Sequence, residues 1–188
     1  MRSEPPMPDY YDLGVRFWEG DLDKYANSLG FKSICSFSKE GNGVEIVARK
    51  LDDFRFSTNE KKILVSSDDP EILKKACRSE VSMLLFGRFL PDTGLVRAAA
   101  ENKKPFEIPL SFILEKKGAD RAFVMSKIGF FMKLCNKYRA DFILTSGAKD
   151  KLSMKSPADI IAIGEVLGLS HDQAVKSISI IPEYVLEG

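Results

Sequence analysis

Short apolar runs rich in β-branched residues alternate along this chain with stretches whose apolar residues recur every three or four positions. The first pattern predicts buried strands and the second amphipathic helices. Strands are expected in YYDLGVRF from Tyr10, SICSF from Ser33, GVEIVARKL from Gly43, KILVSS from Lys62, VSMLLFG from Val81, PFEIPL from Pro105 and ADFILTS from Ala140. Helices fit at Asp21 to Leu29, Pro70 to Glu80, Gly94 to Lys103, Ala119 to Arg139, Pro157 to Leu167 and His171 to Ser179. Asp52 to Lys61 reads as a polar loop.

Several boundaries are marked by capping chemistry. Asp69 before Pro70 and Ser156 before Pro157 each place a hydrogen-bonding side chain ahead of a proline suited to the first helical position. Ser170 and Gln173 form a capping-box pattern, and Gly168 closes the helix before it. In the helix from Ala119, Val124, Ile128, Phe131, Leu134, Cys135 and Tyr138 make the apolar stripe. Arg121, Lys127, Lys133 and Lys137 lie among its polar positions, so the helix covers a sheet and shows a basic exterior. Strands that alternate with helices make this an α/β chain with a parallel sheet of about seven strands. Two architectures remain open on periodicity: a closed or incomplete TIM-barrel-like (β/α) fold, or an open doubly wound sheet.

At 188 residues, 44% hydrophobic and 29% charged, the chain has the composition of a globular protein and reads as a single domain, 1–188. No apolar run reaches the ~18 residues of a membrane span, and MRSEPPMPDYYDLGV lacks a signal-peptide core, so a cytoplasmic location with no membrane partner is expected. Cys35, Cys77 and Cys135 are widely spaced in apolar runs and read as reduced core residues. His171 is the one histidine, which removes most metal-hydrolase and histidine-based triad chemistry.

The net charge of +1 hides an uneven distribution. From Lys116 to Lys155, ten Lys and Arg stand against three Asp and Glu, a balance of +7 that leaves −6 for the rest. Such a segment suits contact with a polyanion, although a solvated lysine-rich helix face has the same composition. Its densest part is TSGAKDKLSMKSP, Thr145 to Pro157, where a strand runs through a small-residue turn into a capped helix start. Unpaired turn amides, a helix amino terminus and Lys149, Lys151 and Lys155 would together receive a phosphate. A plain strand-to-helix turn would carry the same pattern.

The run ADFILTSGAKDKLSMKSPADIIAIGEVLGLSHDQAVKSISIIPEYVLE, Ala140 to Glu187, resembles ribonuclease P protein component 3, a family found in archaea and related to a eukaryotic subunit. The Ser146-Gly147-Ala148 turn, the Ser156-Pro157 helix start, the Leu167-Gly168-Leu169 break and Pro182 follow in that family's order. Arg121, PFEIPL and FGRFLPDTGLVRAAAENKK are similar too, so the likeness extends from about Val81 to Glu187, whereas Met1 to Glu80 matches more loosely and is shorter.

The resemblance implies a TIM-barrel-like fold and a protein subunit that binds the catalytic RNA of ribonuclease P. It implies pairing with ribonuclease P protein component 2 and help in removing the 5′ leader from precursor tRNA. The RNA subunit cleaves, with magnesium expected for it and no cofactor bound by this chain. The fold is similar to that of the PHP metal phosphoesterases, whose first strand supplies ligands as D-x-H-x-H. Here that stretch reads Asp12-Leu13-Gly14-Val15-Arg16, with Gly14 and Arg16 in place of the histidines. No catalytic or metal-binding residue is expected on this reading. The expected RNA contacts are Arg16, Arg88, Arg97, Arg121, Ser146, Lys149, Lys151 and Lys155, with ordinary surface salt bridges as the plain alternative for Arg88, Arg97 and Arg121. The chain departs from the family at Lys155 and Ala158, positions often basic on both sides of the Ser-Pro pair. The rival reading is a PHP-type metal-dependent phosphoesterase using Asp12, Glu45 and Glu107.

Overall fold

Helix and strand alternate through the computed structural model, which describes residues 8–51, 53 and 61–187. The elements are β1 (Tyr11–Val15), α1 (Leu22–Leu29), β2 (Ser33–Ser36), β3 (Gly43–Val47), β4 (Lys62–Ser67), α2 (Pro70–Cys77), β5 (Met83–Phe86) and α3 (Thr93–Glu101). There follow β6 (Phe106–Pro109), α4 (Ser111–Leu114), α5 (Gly118–Tyr138), β7 (Phe142–Thr145), a 3-10 turn (Lys151–Ser153), α6 (Pro157–Val166), α7 (His171–Ile178) and α8 (Ile180–Glu187). Each expected strand is present. The polar loop expected at Asp52 to Lys61 lies outside the described residues except for Asp53 and Lys61.

All pairings are parallel, in two pieces: β1 with β2, and β3-β4-β5-β6-β7 in chain order. Side chains bridge the seams. Between β2 and β3, Asn42 donates to Ile34 O at 3.1 Å and accepts from Ser36 N at 2.8 Å, taking the place of ladder bonds. Between β7 and β1, Ser146 N donates to Asp12 Oδ1 at 3.1 Å and Arg16 N to Ala148 O at 2.7 Å. The strands therefore follow one another around an incomplete barrel, and β1 packs against β7 as well as β2, which an open sheet would not allow.

The β7–β1 seam depends on Gly14. A Cβ there would stand 2.3 Å from Thr145 Cβ and 2.5 Å from Glu107 Oε1, so only a residue without a side chain lets the strands approach. Outside the barrel, α5 turns Ile128, Phe131, Met132 and Cys135 inward. Phe131 sits among Phe86, Phe89 and Phe106, with ring centroids 5.0 to 6.1 Å apart. Cys35, Cys77 and Cys135 are free and buried as expected, and burial pushes the Cys35 and Cys77 thiols up to about 12 and about 11.

The expected caps form. Asp69 accepts from Glu71 N, and Ser156 with Asp159 and Ser170 with Gln173 close both arms of a capping box. Two helices go beyond the sequence reading. The short α4 continues directly from the β6 run, and α8 extends the chain past Ser179, with Pro182 tolerated in its first turn. No helix among the described residues is long and apolar enough to cross a membrane.

Candidate functional site

Alternate residues of a strand share a face, so Asp12, Gly14 and, just past β1, Arg16 all point into the barrel mouth. Asp12 is fully buried; its Oδ1 accepts from Gly14 N at 3.2 Å and Ser146 N at 3.1 Å, while Oδ2 has no partner. Burial pushes its carboxyl up to about 6, against the opposing bonds from Ser146.

Arg16 reaches across to the fully buried Glu107, with Nη1 and Nη2 at 2.5 and 2.6 Å from the two carboxylate oxygens. Nη1 also donates to Gly14 O at 2.6 Å, Nε to Glu45 Oε2 at 3.3 Å, and the guanidinium lies 5.4 Å from the Phe37 ring centroid. Burial alone would lower the Arg16 pKa, but the charge of Glu107 overrides it and raises it. Glu45 moves upward because burial outweighs the pull of Arg16. Thr145 Oγ1 completes the cluster by donating to Glu107 at 2.8 Å.

Glu45 and Glu107 thus converge on the Arg16 guanidinium, with the charge of Asp12 close by, and not on a space that a metal ion could fill. That side chain has no lone pair to share and fills the space between Glu45 and Glu107. Among the described residues no group of three His, Cys, Asp or Glu is placed to hold a metal ion. His171 takes no part in this cluster; it is exposed on α7 and 2.8 Å from Glu165.

Two expected RNA contacts prove to be interior residues. Arg16 spends its guanidinium on Glu107, Glu45 and a backbone carbonyl, and its side chain is only 17% exposed. Ser146 is 1% exposed, with its N–H on Asp12 and its Oγ accepting from Ala148 N. Both follow from β1 and β7 facing one another across the seam.

The lysine-rich turn is at the carboxy-terminal end of the strands, but its backbone is less open than the sequence suggests. Lys149 N and Asp150 N donate to Ser153 Oγ, and Ser153 N to Asp150. At α6, Pro157 has no N–H and Ser156 takes that of Asp159. The anion-binding capacity therefore lies in the side chains. Lys149 pairs with Glu115 at 2.7 Å, Lys151 with Asp21 at 2.6 Å and Glu19 at 2.8 Å, and Lys155 donates to the carbonyls of Ser153 and Met154.

Arg121 joins this end of the barrel, donating to Lys116 O at 2.7 Å at the close of α4. Exposed Arg88, just after β5, lines a cleft of about 700 Å³ with Arg49, Ser66, Asp68 and Pro70. Arg97 stands apart on α3, its guanidinium 4.8 Å from the Tyr138 ring centroid on α5. The fold therefore gathers Arg88, Arg121, Lys149, Lys151 and Lys155 at the carboxy-terminal end of the strands, where Arg16 and Ser146 are turned inward, and leaves Arg97 apart on α3.

Phe123 and Phe130, which no sequence expectation singles out, are 61% and 56% exposed on α5 between its lysines. Lys127 Nζ lies 4.4 Å from the Phe123 ring centroid. Their signal was available: they stand seven residues apart, off the stripe of Ile128, Phe131 and Cys135 that faces the core. Glu107 was legible in the same way, as a charge inside the apolar run PFEIPL.

The model of the family described as RNase P subunit p30 matches residues 42–188, reaching further upstream than the stretch from Val81. Ribonuclease P protein component 3 of Methanosarcina acetivorans is 34% identical over 92 residues, 49% of this chain and 38% of that protein. The protein of that name from Methanothermobacter thermautotrophicus is 30% identical over 156 residues, 77% of this chain and 64% of its own length. The chain thus spans less than two thirds of these relatives. Among solved structures, a chain in "cryo-EM structure of archaeal Ribonuclease P with mature tRNA" superposes with a TM-score of 0.66 at 21% identity, covering 94% of this chain and 79% of that one. A prolidase complexed with N-methylphosphonate-L-proline superposes with a TM-score of 0.62 at 11% identity, covering 96% and 74%. At these identities both establish likeness of fold.

Proposed function

Because this chain belongs to the RNase P subunit p30 family, we propose that it is a protein subunit of ribonuclease P that binds the catalytic RNA and assists removal of the 5′ leader from precursor tRNA. The observation that carries this reading is the guanidinium of Arg16, bound between Glu45 and Glu107 where a PHP-type hydrolase would gather metal ligands. A permanently charged group without a lone pair neither ligates a metal nor relays a proton at neutral pH. The chain is therefore an electrostatic and architectural helper; magnesium serves the RNA, and ribonuclease P protein component 2 is its protein partner.

Lys149, Lys151, Lys155, Arg121 and Arg88 supply the phosphate contacts. The carboxylate that holds Lys149 is exposed, as are those on Lys151, and solvent screening leaves such surface pairs weak, so RNA phosphates displace them readily. Replacing Lys149, Lys151 and Lys155 together by Ala reduces the slope of log K against log salt by about two to three.

Incubated alone with precursor tRNA and magnesium, the pure chain releases no leader. Added with component 2 to the cognate RNA, it raises cleavage most at limiting magnesium, where cationic screening of phosphates matters most. Asp12→Asn leaves that rate within a few fold. Cleavage at the mature 5′ end by the chain alone, abolished by Asp12→Asn, would replace this reading with the phosphoesterase. Component 2 is tested by size-exclusion chromatography of the mixture, where a joint species is expected and independent elution at micromolar concentration counts against direct pairing.

A further inference from the structure

Among the described residues, the non-glycine positions with a left-handed backbone are Phe89, Lys103 and Arg139, at φ 46°, 53° and 59°. Phe89 is buried against the rings of Phe112 and Phe131, so packing holds it there. Lys103 and Arg139 are exposed and each ends a helix, Lys103 just beyond α3 and Arg139 as the cap of α5. Glycine or asparagine adopts this conformation at less strain, so the fold keeps two long cations where the backbone disfavours them. Such outliers point toward function when neighbouring features agree.

Both cations line one groove of about 1120 Å³ at the amino-terminal end of β5, β6 and β7, opposite the lysine-rich turn. Arg78, the cap of α2, and Lys104 line it as well. The lining carboxylates are Glu80 and Asp141, so four cations face two anions, and Asp141 is held by Lys176 at 3.2 Å. Lys104 donates to Val81 O at 2.8 Å. Among the described residues, Arg78, Lys103 and Arg139 form no ion pair. The phenol of Tyr184, 71% exposed on α8, lines the same groove. Helix dipoles favour cations at the ends of α2, α3 and α5, which explains the sign of the charge but not the strained backbone at two of the three positions.

We infer that this groove is a second RNA-binding surface, with phosphates on Arg78, Lys103 and Arg139 and a base stacked on Tyr184. The chemistry is that of a cationic track beside an exposed aromatic. The inference deepens the RNA-subunit reading and rests on it, since it gives the chain a contact at each end of the barrel.

The test uses the full chain and a fluorescein-labelled oligouridylate of about twelve nucleotides, followed by anisotropy across a KCl series. Replacing Arg78, Lys103 and Arg139 together by Gln lowers the salt slope by about two and weakens binding roughly a hundredfold near 0.1 M salt. Tyr184→Ala weakens it about tenfold and Tyr184→Phe restores it, as stacking requires. Lys103→Gly with Arg139→Gly raises the melting temperature by relieving strain, yet weakens binding; a rise in melting temperature with unchanged binding would overturn the inference. So would an unchanged slope in the Gln variant, and if the Lys149, Lys151 and Lys155 variant then lost affinity, the subunit reading would stand alone. Failure of the unaltered chain to bind ribonuclease P RNA removes both. Binding of a labelled oligoglutamate peptide through the same residues, with no binding of oligouridylate, would reassign the groove to an acidic protein.

Discussion

Arg16 holds both carboxylate oxygens of Glu107 across the interior of the barrel, two residues that are 91 positions apart in sequence. Glu107 is fully buried, and a bidentate guanidinium is the geometry that best offsets the desolvation of a carboxylate.

Arg16→Met strands that charge and lowers unfolding free energy by about 3–5 kcal/mol, read from the urea midpoint. Arg16→Met with Glu107→Gln removes both charges and recovers most of the loss. A double variant no more stable than Arg16→Met would show that the pair does not govern the stability of this region.

Gly14→Ala pushes a methyl into Thr145 and Glu107, at 2.3 and 2.5 Å from their nearest atoms. Overpacking of this kind costs about 1–3 kcal/mol, and here it also forces β1 from β7. Thermal unfolding checks it, with Gly20→Ala as the control, because a Cβ at Gly20 meets nothing within 4 Å.

Asp12 carries a pH signature. Its pKa of about 6 lies above the ordinary 3.8, so the folded chain keeps a proton there that the unfolded chain releases. That stabilisation is full below about pH 4 and is lost as pH rises through about 6. Asp12→Asn abolishes the dependence while its side-chain oxygen still accepts from Gly14 and Ser146. Relative to the unaltered protein, the variant gains up to ~3 kcal/mol between about pH 4 and 7. Urea unfolding over that range reads the difference, and parallel curves for the two proteins would rule out a titrating Asp12.

Ser156→Ala opens the capping box of α6, where Ser156 and Asp159 exchange bonds with each other's backbone N–H. The loss is about 1 kcal/mol by denaturant titration. Ser156→Asp retains a cap and stays close to the original stability.

Much of the frame was legible because its causes are local. Strands such as β5 (MLLF) and β7 (FILT) are short apolar runs buried at every position, the composition that parallel strands covered on both faces need, whereas β3 is only half-buried and ends at exposed Val47. Ser156-Pro157 and Ser170 with Gln173 announced their helix starts because a cap is made by residues three positions apart. Gly14 and Arg16, read as departures from a ligand pattern, do lie in the barrel mouth with Asp12.

Local pattern does not say which distant residue faces a charge. Arg16 stands at the end of an expected strand and Ser146 in an expected turn, and only the closing of β1 on β7 turned them inward. Charge counted along the chain placed the cationic surface between Lys116 and Lys155. The groove at the other end takes Arg78, Lys103 and Lys104 from the portion that sums to −6, because the ends of α2 and α3 are brought beside that of α5 only when their strands align. Periodicity and capping residues determined where most elements begin and which face they bury, α4 and α8 apart, since both depend on neighbours a few residues away. Closure of the barrel decided which charges meet, since that depends on strand order and register across the whole chain.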